Sequence, residues 1–387
     1  MKNIGIVTTS RADFGLLYPI INVLDNSDYF RVKVIATGMH LLKEYGYTLK
    51  YVKDKCRDVD KIDLFMPVID KCALVKSIGI GFMSFADYFV NNNFDAIMVL
   101  GDRCELIVPV YSAMIYDIPI IHVFGGDSIE SYVTYDNNIR HCITKLANIH
   151  FTATKEHAIR IKKLGEEDWR IFNVGSPAID YISSCNYLSK DELQNKFNKI
   201  NFCNQYCVLT YHPVPTEIEY IGKQIDAMIQ ALNLADIQII CTKPNNDLGN
   251  EIILDRIKRE DSVNSKFLLV DSVSQEEYYS LLKYSTFMIG NTSSGILESS
   301  AFNIPSINIG SRQLGRIKGK NVIDVTCYVD DIIKAVKKCR EDDNFRTICK
   351  TCENPYGDGT AGFKILKILK KLLSMDKKKL LIKKNTY

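Results

Sequence analysis

The chain has 387 residues, 46% of them hydrophobic and 25% charged, which excludes disorder as the main state and suffices for two domains with separate cores. Forty-nine basic residues against 46 acidic ones leave a net charge of +3. That balance argues against nucleic acid as a partner, since a dedicated binder carries a clear basic excess.

In chain order, short β-branched runs alternate with amphipathic stretches of helical length. The opening MKNIGIVTTS enters a strand pattern at once and has no apolar stretch of signal-peptide length. Strands are expected at 3–8, 32–36, 96–101, 118–123, 150–152 and 170–174, then at 206–211, 237–242, 267–270, 286–289 and 306–309. Helices are expected at 14–24, 82–91, 105–116, 138–147, 155–164, 218–232, 275–283, 294–302 and 330–340. Continuous apolar strands alternating with helices mean parallel sheets covered on both faces. The alternation breaks over the polar stretch 180–205, dividing the chain into α/β domains at 1–180 and 181–362. An apolar helix at 363–375 is expected to cross back onto the first domain. Residues 376–387 form a basic tail, where five lysines surround Leu380, Leu381 and Ile382. It reads first as a frayed, solvated end and second as a surface for anionic lipid. No run of about 18 apolar residues is found, so no membrane insertion is expected. The twelve scattered cysteines read as reduced, structural thiols of a cytoplasmic protein.

Ligands of open parallel sheets bind beyond the carboxyl ends of the strands, so the polar residues just after each strand are the candidates. Arg11, at the first strand-to-helix junction, suits a phosphate, or else pairs locally with Asp13. Asp102 follows the run IMVLG, and Asp127 follows Gly125-Gly126 at the end of a second strand. Asp136 precedes the helix carrying Arg140 and His141, and Arg103 stands beside Asp102. Carboxylates at strand tips suit general acid or base work, and like charges held close push one pKa up. An isolated Asp there is as readily a helix N-cap, and Arg140 and His141 can fix the acids by salt bridges. In the second half, His212 ends one strand and Lys243 the next. The strongest signal is IGNTSSGILE at 289–298, where a strand runs through a small-residue loop into a helix. Such a loop lets phosphate reach backbone amides. Ser293 and Ser294 add hydroxyls beside Gly295, and Glu298 lies one turn on, where it can accept from a ribose. Without Gly-Lys-Ser/Thr it is not a P-loop. It reads as a nucleoside diphosphate site needing no metal.

Together these residues resemble the UDP-N-acetylglucosamine 2-epimerase family, in its hydrolysing bacterial branch. The segments TSRADFG, ATGMHLLKEYGYT, GDRCE, IPIIHVFGGD, IRHCITKLANIHFTAT, VGSPAID, YHPV and GNTSSGILESSAFNIPSINIGSRQLGR occur in family order. The resemblance implies two Rossmann-like parallel-sheet domains of the GT-B type facing across a cleft, a nucleotide-sugar substrate, no cofactor and a homodimer. It implies that UDP leaves carbon 1 as a proton leaves carbon 2, that water adds to the glycal, and that ManNAc and UDP are released for sialic acid synthesis. Asp102, Asp127, Asp136 and His212 become the catalytic candidates. Arg11, Ser293, Ser294, Gly295 and Glu298 would hold UDP, with Arg103, Arg140, His141 and Lys243 in support. Two departures stand beside the sugar: Asp127, where many members carry Glu, and a longer stretch from there to Asp136. Both admit a UDP-linked 2,4-diacetamido-6-deoxy sugar, the legionaminic acid precursor, as the alternative substrate. A GT-B glycosyltransferase and a non-catalytic nucleotide-sugar sensor are the rival readings.

Overall fold

The computed structural model describes residues 1–64, 71–128, 135–245, 248–271 and 273–386. Contacts divide the chain into two units: Met1–Asp127, Thr134–Ser183 and Tyr356–Tyr387 in the first, and Ser128–Val133 with Ser184–Pro355 in the second.

The first unit is built on strands β1 (Lys2–Thr8), β2 (Phe30–Ala36), β3 (Val59–Lys61), β4 (Ala96–Leu100), β5 (Ile120–Val123), β6 (Ile149–Thr152) and β7 (Ile171–Asn173). They form one sheet of order β3-β2-β1-β4-β5-β6-β7, every pair parallel. Side chains alternate across it. Ile4 and Ile6 pack with Phe14, Leu17 and Ile20 on one face, while Val7, Ile97 and Val99 pack with Phe85 and Phe89 on the other. That period of two is why strands buried on both faces read as unbroken apolar runs.

The second unit holds β8 (Tyr206–Thr210), β9 (Gln238–Thr242), β10 (Phe267–Val270), β11 (Phe287–Gly290), β12 (Ser306–Ile309) and β13 (Val322–Val325). Its order is β10-β9-β8-β11-β12-β13, again all parallel. In each sheet the winding direction reverses beside the first strand, between β1 and β4 and between β8 and β11. The loops after those strands diverge there and leave a crevice for ligand.

Three features differ from expectation: a longer third helix, a broken helix at 294–302 and an ordered tail. The helix expected at 82–91 runs over Lys71–Asn91, long and apolar enough by length and composition to cross a bilayer. Its Phe85 and Phe89 are buried in the core, Lys76 and Asp87 interrupt it, and Val75, Met83 and Val90 are exposed. The helix expected at 294–302 is a short α-turn, Ser294–Leu297, followed by a 3-10 turn, Ser299–Phe302. There the Ser299 hydroxyl bonds the Gly295 carbonyl at 2.7 Å, competing with the helical ladder. The last long helix, Ala361–Leu372, is in the first unit, its Ile365 and Leu369 in the same cluster as Phe14 and Leu17. Asp180 caps it, accepting from the amides of Ala361 and Gly362 at 2.9 and 2.6 Å. The tail is not frayed. Leu380 is buried, and the fully buried Arg170 donates to the carbonyls of Leu380 and Ile382 at 2.7 and 2.6 Å.

Candidate active site

At the carboxyl end of β1, Asp13 organises the turn. It accepts from Thr8 Oγ1, Thr9 N, Thr9 Oγ1 and Ser10 N at 2.7, 2.9, 2.7 and 2.9 Å. Among the described residues it makes no ion pair with Arg11, whose guanidinium is exposed and lies 5.4 Å from the Tyr51 ring centre. Behind this turn His40 is buried, and desolvation holds its pKa below the usual imidazole range. Because the Thr8 hydroxyl donates to Asp13, the 3.0 Å contact requires His40 Nε2 to donate to Thr8. Nδ1 then accepts from Thr48 Oγ1 at 2.7 Å.

The ends of β4 and β5 carry the acids, in the same unit. Arg140, from the Tyr135–Leu146 helix, pairs with Asp102 through Nη2. Its Nη1 lies 3.5 Å from Asp127 and donates to the Phe124 carbonyl at 3.0 Å. The arrangement is therefore two carboxylates joined through one buried guanidinium. Asp127 also faces His157 Nε2 at 3.5 Å. The turn that aims Asp127 depends on Gly126: its φ is +79°, and a Cβ there would stand 2.2 Å from the His157 carbonyl oxygen. Asp136 is half-buried in the first turn of the Arg140 helix, four residues before Arg140 and so on the same face. His141 is held below the ordinary imidazole pKa by burial and then by Arg140 and Arg160, so it supplies no cation to the acids at neutral pH. Arg103 is bound by the buried Glu105, Nε to Oε1 at 2.6 Å.

The second unit offers a different set. Asn291, directly after β11, clamps the end of β8. Its Oδ1 accepts from His212 N at 2.7 Å and its Nδ2 donates to the His212 carbonyl at 2.8 Å. His212 Nδ1 accepts from the Asn245 amide at 3.0 Å. Burial, aided by Arg312, pushes its pKa down to about 3, so the ring is neutral and its proton sits on Nε2. Gly290 has φ +131°, and a Cβ there would stand 2.0 Å from the Thr210 carbonyl oxygen, so β11 can pass β8 only with glycine. In the following loop Ser294 donates to Glu298 and accepts from Tyr278 at 3.0 Å. Tyr279 donates to the other oxygen of Glu298 at 3.0 Å. Burial raises the Glu298 pKa, and its two oxygens keep lone pairs for further donors. Gly295 is buried, where a Cβ would stand 2.7 Å from Ser306 Oγ. Ser293 precedes the turn without a side-chain cap bond, leaving its hydroxyl out of the helix start. Lys243 pairs with Asp271 at 2.9 Å.

The structure thus brings Asp102, Asp127 and Arg140 together in one unit, and His212, Ser294, Gly295 and Glu298 around the β8 and β11 ends in the other. Sequence reasoning read Asp13 only as a local partner of Arg11, and passed over His40 and His157 in the first unit and Asn291, Tyr278 and Arg312 in the second. Asn291 and Arg312 follow strands as His212 does, and that position was the available signal. His157 and Tyr278 lie inside helices and gave none. Among the described residues no three His, Cys, Asp or Glu side chains gather as a metal set.

Two parallel-sheet Rossmann-like domains, each with polar clusters at its strand ends, define an α/β protein of the GT-B type. Residues 22–370 match the family model for UDP-N-acetylglucosamine 2-epimerase. The chain belongs to that family and is an enzyme of that type. It is 32% identical over 383 residues to polysialic acid biosynthesis protein P7 of Escherichia coli, covering 98% of this chain and 96% of the relative. It is 34% identical over 339 residues to GDP/UDP-N,N'-diacetylbacillosamine 2-epimerase (hydrolyzing) of Campylobacter jejuni, covering 87% of each. The crystal structure of UDP-GlcNAc 2-epimerase from Neisseria meningitidis bound to UDP-GlcNAc superposes with a TM-score of 0.78 at 17% identity, covering 96% of this chain and 100% of that one. At that identity the likeness establishes the fold.

Proposed function

We propose that the protein converts UDP-GlcNAc and water to ManNAc and UDP by elimination and hydration, feeding nonulosonic acid synthesis. The observation that carries this is the pair Asp102 and Asp127, on the ends of adjacent strands β4 and β5 and joined through Arg140. A base takes the proton from carbon 2 as the carbon 1–oxygen bond to UDP breaks, leaving a glycal. Water adds its oxygen to carbon 1, and an acid returns a proton to carbon 2 on the opposite face. Asp102, Asp127 and Asp136 are the acid–base candidates. Arg140 fixes the first two, and His157 orients Asp127.

On the nucleotide side, the Nε2–H of neutral His212 can donate to a diphosphate oxygen without adding a charge to be neutralised. Arg11, Ser293, Ser294, Gly295 and Glu298 would hold UDP, Glu298 accepting from the ribose. Arg312, close enough to depress His212, adds positive potential for the leaving group.

The second reading is the same reaction on UDP-N,N'-diacetylbacillosamine. Asp127 in place of a longer Glu, the extended 127–136 stretch and the name of the Campylobacter relative favour it. Incubation with each sugar in turn, with no acceptor present, decides. Release of UDP and ManNAc from UDP-GlcNAc with the higher kcat/KM supports the first reading, and the higher value on the diacetamido sugar supports the second. A glycosyltransferase would release little from either, and a sensor would only bind. A cytoplasmic homodimer belongs to this proposal, with sedimentation as its test.

A further inference from the structure

We propose that the C-terminal helix and tail form a docking surface for anionic phospholipid membranes. A cavity of about 940 Å³ lies on the first unit, against the Ala361–Leu372 helix and the tail. Its lining is apolar at Trp169, Phe172, Ile368, Leu372, Met375 and Ile382, and its one carboxylate, Glu167, is paired with Arg170 at 2.7 Å. Its rim carries Lys367, Lys371, Lys379 and Lys384, and among the described residues none of these four ammonium groups has a carboxylate partner. The stretch 361–384 contains nine lysines and one acid, Asp376, in a chain whose total charge is only +3. Phe363 and Ile382, each 66% exposed, extend the apolar surface, and Phe363 shares a helix face with Lys367 and Lys371 by spacing.

The scaffold under these lysines is fixed. Arg170 holds the carbonyls of Leu380 and Ile382, and Lys383 pairs with the buried Glu166 at 2.7 Å while donating to the carbonyls of Lys145 and Ala147 at 2.6 and 2.7 Å. Lys379 and Lys384 are thus presented on ordered backbone. An apolar basin ringed by unpaired cations matches an interface where phosphates lie above acyl chains. Nucleic acid fits it less well. The Trp169 ring is already stacked by the Arg170 guanidinium at 4.1 Å and its N–H is bonded to Glu167 at 3.0 Å, while the rest of the floor is largely aliphatic.

Trp169 is the sole tryptophan of the chain, so its fluorescence reports on this cavity alone. The test mixes the full-length enzyme with vesicles of phosphatidylcholine, or of phosphatidylcholine with phosphatidylglycerol, each carrying brominated acyl chains. The proposal expects co-sedimentation and quenching of Trp169 only with the anionic vesicles, both weakened by added salt. The variant K367E/K371E/K384E should lose about 10²-fold or more in vesicle partitioning, at roughly fivefold per lysine. It should keep normal turnover of soluble UDP-GlcNAc, which also shows that it is folded. Equal binding to neutral and anionic vesicles, or anionic binding without quenching, would overturn the assignment. Retention on single-stranded RNA in the absence of vesicle binding would reassign the patch to nucleic acid.

Discussion

The two domains share the order of their first six strands and differ in what they put at the carboxyl edge. The first ends β4 and β5 in Asp102 and Asp127, tied by the buried Arg140. The second ends β8 and β11 in a neutral histidine, an asparagine clamp and a hydroxyl network, His212, Asn291, Ser294 and Tyr278. On the proposed reading, one edge would move protons and the other would donate hydrogen bonds to an anion. The same doubly wound frame thus carries two different chemistries, and the side chains at the strand ends decide which.

The sharpest way to break that division is to remove proton transfer from the first domain alone. Asp102→Asn and Asp127→Asn keep the side-chain shape, and each should lower kcat by about 10²–10⁴-fold. UDP affinity, measured by calorimetry, should hardly change. A loss of UDP affinity comparable to the loss in kcat would mean the acids are not confined to the sugar.

Acid should separate the domains next. The first contains His40, His122 and His150, all buried with pKa values pushed down by desolvation, His122 to about 3. The second contains His212 alone of the chain's six histidines. An unfolded imidazole binds a proton below about 6.5, whereas folded His122 and His212 do so only near 3. Between those values the unfolded state binds more protons, so stability falls as pH falls. Going from pH 7 to 4.5 should cost each such histidine on the order of 3 kcal/mol, more in total for the first domain. Hydrogen exchange at the two pH values should show amides of β1, β4, β5 and β6 losing more protection than those of β8 and β11. The reverse order would contradict the contrast.

Ser294→Ala and Glu298→Ala should have the smallest effects. Each removes a hydrogen-bonding group from the proposed nucleotide loop, remote from the breaking bonds. A lost hydrogen bond is worth about 1–1.5 kcal/mol, so KM should rise about five- to tenfold while kcat falls less. Unaltered kinetics in both variants would place the nucleotide elsewhere.

Most strands and the Rossmann-like frame were legible because apolar runs such as IMVL and YCVLT admit little else. β3 and β13 escaped notice because they are short, only partly buried and interrupted by Asp60 and Asp324. The candidate acids were visible as polar residues at strand ends. The guanidinium that joins them was readable only as an alternative, because the helix carrying Arg140 meets the acids through tertiary packing. His157 was invisible for the same reason. The tail misled as a terminal lysine run. Its order depends on Arg170, about 210 residues earlier in sequence, and no local pattern records that bond.

The central claim is that the first domain's acids take a proton from carbon 2 and return another. Turnover of UDP-GlcNAc in heavy water, followed by NMR of the released sugar, tests it directly. Elimination and hydration require ManNAc carrying deuterium at carbon 2, formed together with UDP in the absence of any acceptor. ManNAc that retains its original proton at carbon 2 would contradict the account.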